Sequence, residues 1–463
     1  MKNIQLKSGI LFMLMIIITL FIQTSCKQNI ENKEKLSVLT EKTLIHPEWA
    51  YNKNIYEVNI RQYSIEGNFV GFEKHLPRLK EMGVDILWLM PVNPIGEKNR
   101  KGTMGSYYSV KDYKKINPEF GTIEEFKKLV TKIHEMGMYV IIDWVANHSA
   151  WDNQLISDHP EWYTKDSTGQ IISPVDDWTD VADFDYNNQD LQNYMIDALK
   201  FWVEEADIDG YRCDVAGMVP TEFWNNARKE LDKIKPVFML AEWETPELHK
   251  KAFDMSYNWS LLHTMNEIAK GNEPASKLDT VLNKIAKNYH TDDFIMNFTT
   301  NHDENSWNGT VYERYGDGVK TFAVLTLTIP GMPLIYSGQE TGLNKKLSFF
   351  DKDTIVWNDS EMFDFYKTLL KLKKENKALW NGEKGGNLTR IYTNNDKSVF
   401  AFVREKDEDK IFVILNLSNK KTKIIFKENN HTGTYKNIFS EEKFTFKKET
   451  ELELEPWEYL VFE

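Results

Sequence analysis

Cysteine is nearly absent from this chain of 463 residues, which holds only Cys26 and Cys213. One ends an apolar N-terminal run and the other sits inside a strand pattern, so no disulfide is expected between them. Positive charge is also scarce: 57 Lys and Arg face 70 Asp and Glu, for a net charge of -13. A nucleic-acid partner needs a basic face, and this balance disfavours one. The N-terminal apolar run, residues 10–22, is broken by Thr19 and is short for a membrane span. No Gly-rich phosphate fingerprint follows the first strand pattern, which weakens a doubly wound open sheet. No HExxH metal spacing, internal repeat or low-complexity run is present.

What is present is an ordinary soluble composition, 41% hydrophobic and 27% charged. The length suits one large domain of roughly 250 to 400 residues plus a smaller one. Lys2 and Lys7 flank the apolar run, and Thr24-Ser25-Cys26 follows it. This resembles a bacterial lipoprotein signal over residues 1–26, with Cys26 as the lipidated residue, although Gln23 departs from the usual aliphatic residue. Residues 27–48 read as a polar tether. The expectation is an exported protein held at the cell envelope through a lipid anchor on Cys26.

From residue 55 onward, short apolar runs alternate with helical patterns. Strands are predicted at 55–59, 86–90, 139–143, 208–214, 237–242, 255–258, 294–298 and 334–337. Phe72, Leu76, Leu79 and Met82 recur at helical spacing before Gly83. Thr122 and Glu125 form a capping-box pattern before Phe126, Leu129, Ile133 and Met136. Further helices are predicted at 191–203, 221–235, 277–289, 319–329 and 360–376. Repeated strand–helix units with buried strands imply a parallel sheet, and eight of them close into a (β/α)8 TIM barrel, here over residues 49–384. Residues 149–188, polar and without a clear strand, read as a short inserted domain after strand 3. Residues 385–463 switch to strand alternation at 399–403, 411–417, 423–426, 451–454 and 459–462, a C-terminal antiparallel β-sandwich domain.

Barrels of this kind carry their chemistry at the carboxyl ends of strands. Asp143, Asn147 and His148 follow the third strand in DWVANH, Arg212 and Asp214 end the fourth in GYRCD, Glu242 ends the fifth in AEW, and His302 and Asp303 follow the seventh in NHD. Arg212 and Asp214, two residues apart on a strand, face the same side. The guanidinium is expected to keep Asp214 ionised, as a nucleophile requires. Several carboxyls facing one cavity, with no metal-ligand spacing, point to glycoside chemistry. One attacks the anomeric carbon, a protonated one donates to the leaving oxygen, and a further anion steadies the cationic transition state.

The four motifs, in this order, resemble those of the α-amylase family of glycoside hydrolases. The resemblance runs from about residue 55 to 384. It includes VADFD at 181–185, YSVKDY from Tyr108 and GMPLIYSGQE from Gly331. It implies Asp214 as nucleophile, Glu242 as general acid/base and Asp303 as the third acid. It further implies that Tyr108 stacks on the sugar in the cleaved position, that Asp143, His148 and His302 bind sugar hydroxyls, and that Arg212 keeps Asp214 charged. The implied substrate is an α-glucan such as starch or maltodextrin. An α-glucosidase or a glucanotransferase of the same family is an alternative, and a non-catalytic amylase-like binding subunit is another, which the three retained acids disfavour. No cofactor is required for the chemistry, and the resemblance admits a structural calcium at Asn147 and Asp183. Ser106 stands two residues before Tyr108 where many members have His, and Gly217 and Met218 stand where members often have Lys-His. These positions shape sugar contacts beyond the cleaved bond.

Overall fold

Eight parallel strands close a barrel in the computed structural model, which describes residues 44–463. The expected signal, with Cys26, lies outside the described residues. The strands are β1 (Ile55–Val58), β2 (Ile86–Leu89), β3 (Tyr139–Trp144), β4 (Gly210–Cys213), β5 (Phe238–Ala241), β6 (Met255–Tyr257), β7 (Phe294–Asn297) and β8 (Met332–Tyr336). They pair in chain order, and β8 returns to β1 with Leu334 opposite Ile55. Every strand residue except Tyr139 is buried. Burial on both faces is why these strands read as apolar runs rather than as alternation.

The surrounding helices are α1 (Leu76–Met82), α2 (Ile123–Glu135), α3 (Gln189–Ala206), α4 (Thr221–Leu231), α5 (Trp259–Ala269), α6 (Lys277–Asn288), α7 (Val319–Thr328) and α8 (Glu361–Glu375). The capping box of α2 forms: Glu125 N donates to Thr122 Oγ1 at 3.2 Å and Thr122 N to Glu125 Oε2 at 2.8 Å. The apolar pattern that predicted one helix up to Gly83 is split, because Phe69–Glu73 is a separate turn. Pro77 lies in the first turn of α1 and has no N–H for the Glu73 carbonyl, so the helix cannot run through. Two helices, α5 and α6, fill the connection between β6 and β7, where the sequence pattern showed one. Between β5 and β6 there is only a 3-10 turn, Pro246–Lys250.

The excursion after β3 does contain strands, contrary to the sequence reading. His148–Ala150 pairs antiparallel with Val181–Asp183, His148 lying opposite Asp183. Three residues per strand are too few to show a period. Residues 44–48, which the sequence pattern assigns to a polar tether, belong to the folded unit. Leu44 and His46 are buried, and His46 Nδ1 lies 2.7 Å from Asp254 Oδ1 while Nε2 lies 2.7 Å from the Asp292 carbonyl.

The C-terminal domain is antiparallel. It comprises β9 (Asn387–Ile391), β10 (Val399–Lys406), β11 (Asp409–Asn416), β12 (Thr422–Ile425), β13 (Gly433–Lys436), β14 (Lys443–Phe446), β15 (Glu451–Leu454) and β16 (Tyr459–Phe462). The order β9-β10-β11-β16 makes one sheet, and β12–β15 and β13–β14 make two ladders beside it. Phe412, Ile414, Ile424, Phe446 and Phe462 form the core between them. Strands β9, β13 and β14 were missing from the sequence reading; each has at most one fully buried residue. Arg404 on β10 reaches into the barrel domain. Its Nε donates to Gly386 O at 2.9 Å, Nη1 to Thr328 O at 3.0 Å and Nη2 to Trp380 O at 3.3 Å.

Candidate active site

Arg212 on β4 is the hub of the barrel's carboxyl end. Its Nη1 donates to Asp143 Oδ1 on β3 and to Asp214 Oδ1, both at 2.9 Å. Its Nη2 lies 2.8 Å from Glu242 Oε1, an ion contact without hydrogen-bond alignment. Its Nε donates to Tyr257 Oη at 3.2 Å. Register explains the gathering: Asp143 pairs directly with Arg212, and Cys213 with Ala241, so Asp214 and Glu242 leave adjacent strands at the same level. The guanidinium carbon also sits 5.0 Å from the centre of the Trp88 ring.

A second chain of contacts runs to β7 and β1. Tyr108 Oη donates to Asp143 Oδ2 at 3.0 Å and lies 2.8 Å from His302 Nε2. His302 Nε2 is 3.2 Å from Asp303 Oδ2, and Nδ1 is 2.5 Å from Glu57 Oε1. After β4 the backbone turns through Val215 at φ 36, ψ 47. A β-branched residue in the left-handed region is strained, and such strain collects at functional sites. Here the turn aims the Val215 N–H at Glu242 Oε2, 2.8 Å away.

Burial and charge set the protonation states. Burial raises the Asp214 carboxyl to about 6 against the opposing pull of Arg212. Glu242 is raised to about 7, again by burial, with Arg212 opposing and the Asp214 and Asp303 carboxylates adding to the rise. Burial likewise raises Asp143 to about 6, with Arg212 opposing. Burial opposes charge on His302, but Asp303 and Glu57 outweigh it and raise the imidazole well above its usual value. Burial would raise Asp303, yet His302 and Arg212 hold it below the usual range. Arg212 thus does pull Asp214 down, as expected, but burial wins.

A cleft of about 570 Å³ opens above this network, walled by Tyr108, His148, Trp178, Asp214, Glu242 and Asp303. The profile of the alpha-amylase catalytic domain matches residues 45–179 and 159–359. The maltogenic-amylase C-terminal domain matches residues 388–461.

The chain belongs to the alpha-amylase family of glycoside hydrolases.

Among solved structures of the family, the maltogenic alpha-amylase AmyB from Thermotoga neapolitana shares 32% of residues and superposes with a TM-score of 0.81, covering 89% of this chain and 98% of that one. An alpha-amylase from Lactobacillus plantarum also shares 32%, with a TM-score of 0.79 over the same shares of each chain. Alpha-amylase 2 of Dictyoglomus thermophilum is 26% identical over 418 residues, 84% of this chain and 70% of that protein.

All eight predicted site residues of this alpha-amylase family member gather in one place, but in two layers. Tyr108, His148, Asp214, Glu242 and Asp303 wall the cleft. Asp143, Arg212 and His302 are buried beneath it. Asp143, expected to bind sugar hydroxyls, is 0% exposed, and its oxygens accept from Arg212, Tyr108 and Trp88, whose Nε1 donates to Oδ2 at 3.2 Å. It holds Arg212 and Tyr108 in place. Arg212 and His302 likewise lie under the sugar-facing wall. Burial lowers His148 to about 4, so its ring is neutral at pH 7. Glu57 is the member of this network that the sequence reading missed. Its one signal is a lone carboxylate in the middle of an apolar strand, IYEV, where an unpaired charge is costly.

Asn147 and Asp183 do meet, with Asn147 Nδ2 3.4 Å from Asp183 Oδ1. Calcium takes six to eight oxygen ligands, and among the described residues no group of three or more His, Cys, Asp or Glu side chains is placed to hold a metal. Asn147 and Asp183 would supply two side chains to such a shell.

Proposed function

We propose that the protein is a retaining α-glucan hydrolase. Asp214 attacks the anomeric carbon while Glu242 gives its proton to the glycosidic oxygen, and the sugar on that side leaves. Glu242 then takes a proton from water, which attacks the glycosyl–Asp214 ester and releases a product of unchanged configuration. Asp303, paired with the charged His302, presents negative charge to the transition state. Tyr108 offers its ring to the sugar, held by Asp143 and His302.

The observation that carries this reading is Arg212, whose two terminal nitrogens contact Asp214 and Glu242 at 2.9 and 2.8 Å. Two carboxyls on one small planar fork support the short separation of a retaining pair, about 5–5.5 Å, over the ~6.5–9.5 Å of an inverting pair. The raised Glu242 carboxyl, with the Asp214 and Asp303 carboxylates adding to the rise caused by burial, supports its part as the acid. The test is NMR of the first product formed from a maltooligosaccharide. The α-anomer is expected; the β-anomer appearing first would refute both the mechanism and the role of Asp214.

The chemistry so written needs no metal. The leader supports a second part of the reading, attachment to the cell envelope through acyl chains on Cys26.

A further inference from the structure

The cleft has two unlike ends, and the difference lies in residues that the reaction itself does not use. The connection from β2 to α2 is tied down on both sides at residues 101–104. On one side Thr103 N and Oγ1 donate to Asp351 Oδ1 at 2.9 and 2.6 Å, and Met104 N donates to Phe350 O at 3.0 Å. A Cβ at Gly102, which holds φ +63, would stand 2.4 Å from the Phe350 Cβ, so backbone lies against that side chain. On the other side Lys101 Nζ donates to the Asp177 carbonyl and lies 3.4 Å from Asp180 Oδ1. Phe350 belongs to the loop after β8, and Asp177 and Asp180 belong to the excursion after β3. Lys101, Asp177, Asp180 and Phe350 all line the cleft. Residues 101–104 therefore strap one wall of the cleft to the other.

The order of strands around the ring says which end is strapped. Strands β8, β1, β2 and β3 are consecutive in the barrel, and Glu242 leaves β5, across the mouth from β1. Glu242 protonates the glycosidic oxygen, so the departing portion of the glucan lies on its side. The portion transferred to Asp214 carries the non-reducing end and runs the other way, toward the strap. Tyr108 lies in the same connection as Lys101, seven residues further on. The cleft volume of about 570 Å³ is that of a pocket for a small molecule, roughly 300–1,000 Å³, rather than of a groove through which a polymer passes. We propose that this strap closes the cleft behind the transferred portion, so that the enzyme works from the free non-reducing ends of linear α-glucans, with Lys101 as the residue that sets the preference. Mid-chain bonds and cyclic glucans are disfavoured, because their chain continues where Lys101 meets Asp177 and Asp180. This inference names the substrate of the hydrolase read above and rests on that reading.

The test compares maltoheptaose with the same sugar carrying an ethylidene acetal across the two outermost hydroxyls of its non-reducing end. The cap removes the free end and leaves the inner bonds untouched. Wild type is expected to show a kcat/KM at least roughly tenfold lower for the capped sugar. Lys101→Ala removes both contacts to the excursion and should raise the capped-to-free ratio by roughly threefold or more, the strength of a partly exposed ion pair. Lys101→Arg, which keeps a cation and its donors, should hold the ratio low. The Lys101 side chain is 32% exposed, so neither change disturbs the core. A wild-type ratio near one overturns the inference, and so does a low ratio that Lys101→Ala leaves where it was. Wild-type protein that turns over neither sugar instead removes the hydrolase reading itself.

Discussion

Replacing Glu242 by glutamine should stabilise the protein even as it removes activity, and the gain should grow with pH. The carboxyl titrates near 4.5 when unperturbed and about 7 in the folded protein, with burial the largest cause. A carboxyl raised on folding favours the native state only while protonated. Stability is undiminished below the unfolded value, falls as pH rises from about 4.5 to about 7, and stays at the lower level above that. At roughly 1.4 kcal/mol per pH unit the separation is worth about 3 kcal/mol. Glutamine mimics the protonated acid and cannot ionise, so it escapes the cost. Arg212 keeps Asp143 and Asp214 as partners at 2.9 Å, and so it is not left uncompensated. The variant should match wild type near pH 4.5 and exceed it by about 3 kcal/mol at pH 8. With an unfolding entropy of roughly 2.1 cal/mol/K per residue, that is about 3–4 °C in Tm for a chain of this size. Melting both proteins across pH 4.5 to 8 measures it. A Tm difference independent of pH, or one that shrinks as pH rises, would refute the reasoning.

The activity profile should be a narrow bell: kcat/KM rises as Asp214 ionises near 6 and falls as Glu242 loses its proton near 7. An alkaline limb above pH 9 would rule out Glu242 as the acid. Asp214→Asn should cut turnover by at least roughly 10⁴-fold while oligosaccharide affinity, measured by calorimetry, changes little; substantial residual turnover would assign the nucleophile elsewhere. Chelation by EDTA should leave initial turnover unchanged, because the carboxylate chemistry uses no metal. Instant loss of activity at constant Tm would contradict this. Cys26→Ser should shift the protein from the membrane fraction to a soluble one or block processing of the leader; unchanged fractionation with normal processing would remove the anchor.

The carboxyl-end motifs were legible because three strands deliver their acid within a residue or two of an apolar position, and the fourth acid, Asp303, follows Phe298 by only five residues. Asp143, Asp214, Glu242 and Asp303 could therefore be ordered around a barrel without coordinates. Depth was not legible. Asp143 and Asp303 look alike as acids after an apolar run, yet one is sealed beneath Arg212 and the other is 35% exposed at the side chain. Nor could the balance at Asp214 be read, since Arg212 is visible in the sequence and the desolvation that outweighs it is not. Glu57 escaped because its partner, His302, lies on the far side of the chain and only barrel closure brings β1 to β7 and β8. The hairpin of the excursion and strands β9, β13 and β14 were missed because short or half-exposed strands carry little pattern.

Arg404 gives the C-terminal domain a part in folding that its position in the chain conceals. Its Nη1 occupies the carbonyl of Thr328, the last residue of α7, and its other nitrogens reach Gly386 and Trp380. A helix end needs such a donor, and here it comes from a strand of the other domain. Burial alone pulls the guanidinium down to about 9, and the contacts named are to backbone carbonyls. Cutting the chain after residue 384 would strip the end of α7 of its donor. Arg404 therefore couples the barrel to the sheet, and the expected outcome is that they unfold together in a single heat-absorption peak; two resolved peaks would show that they do not.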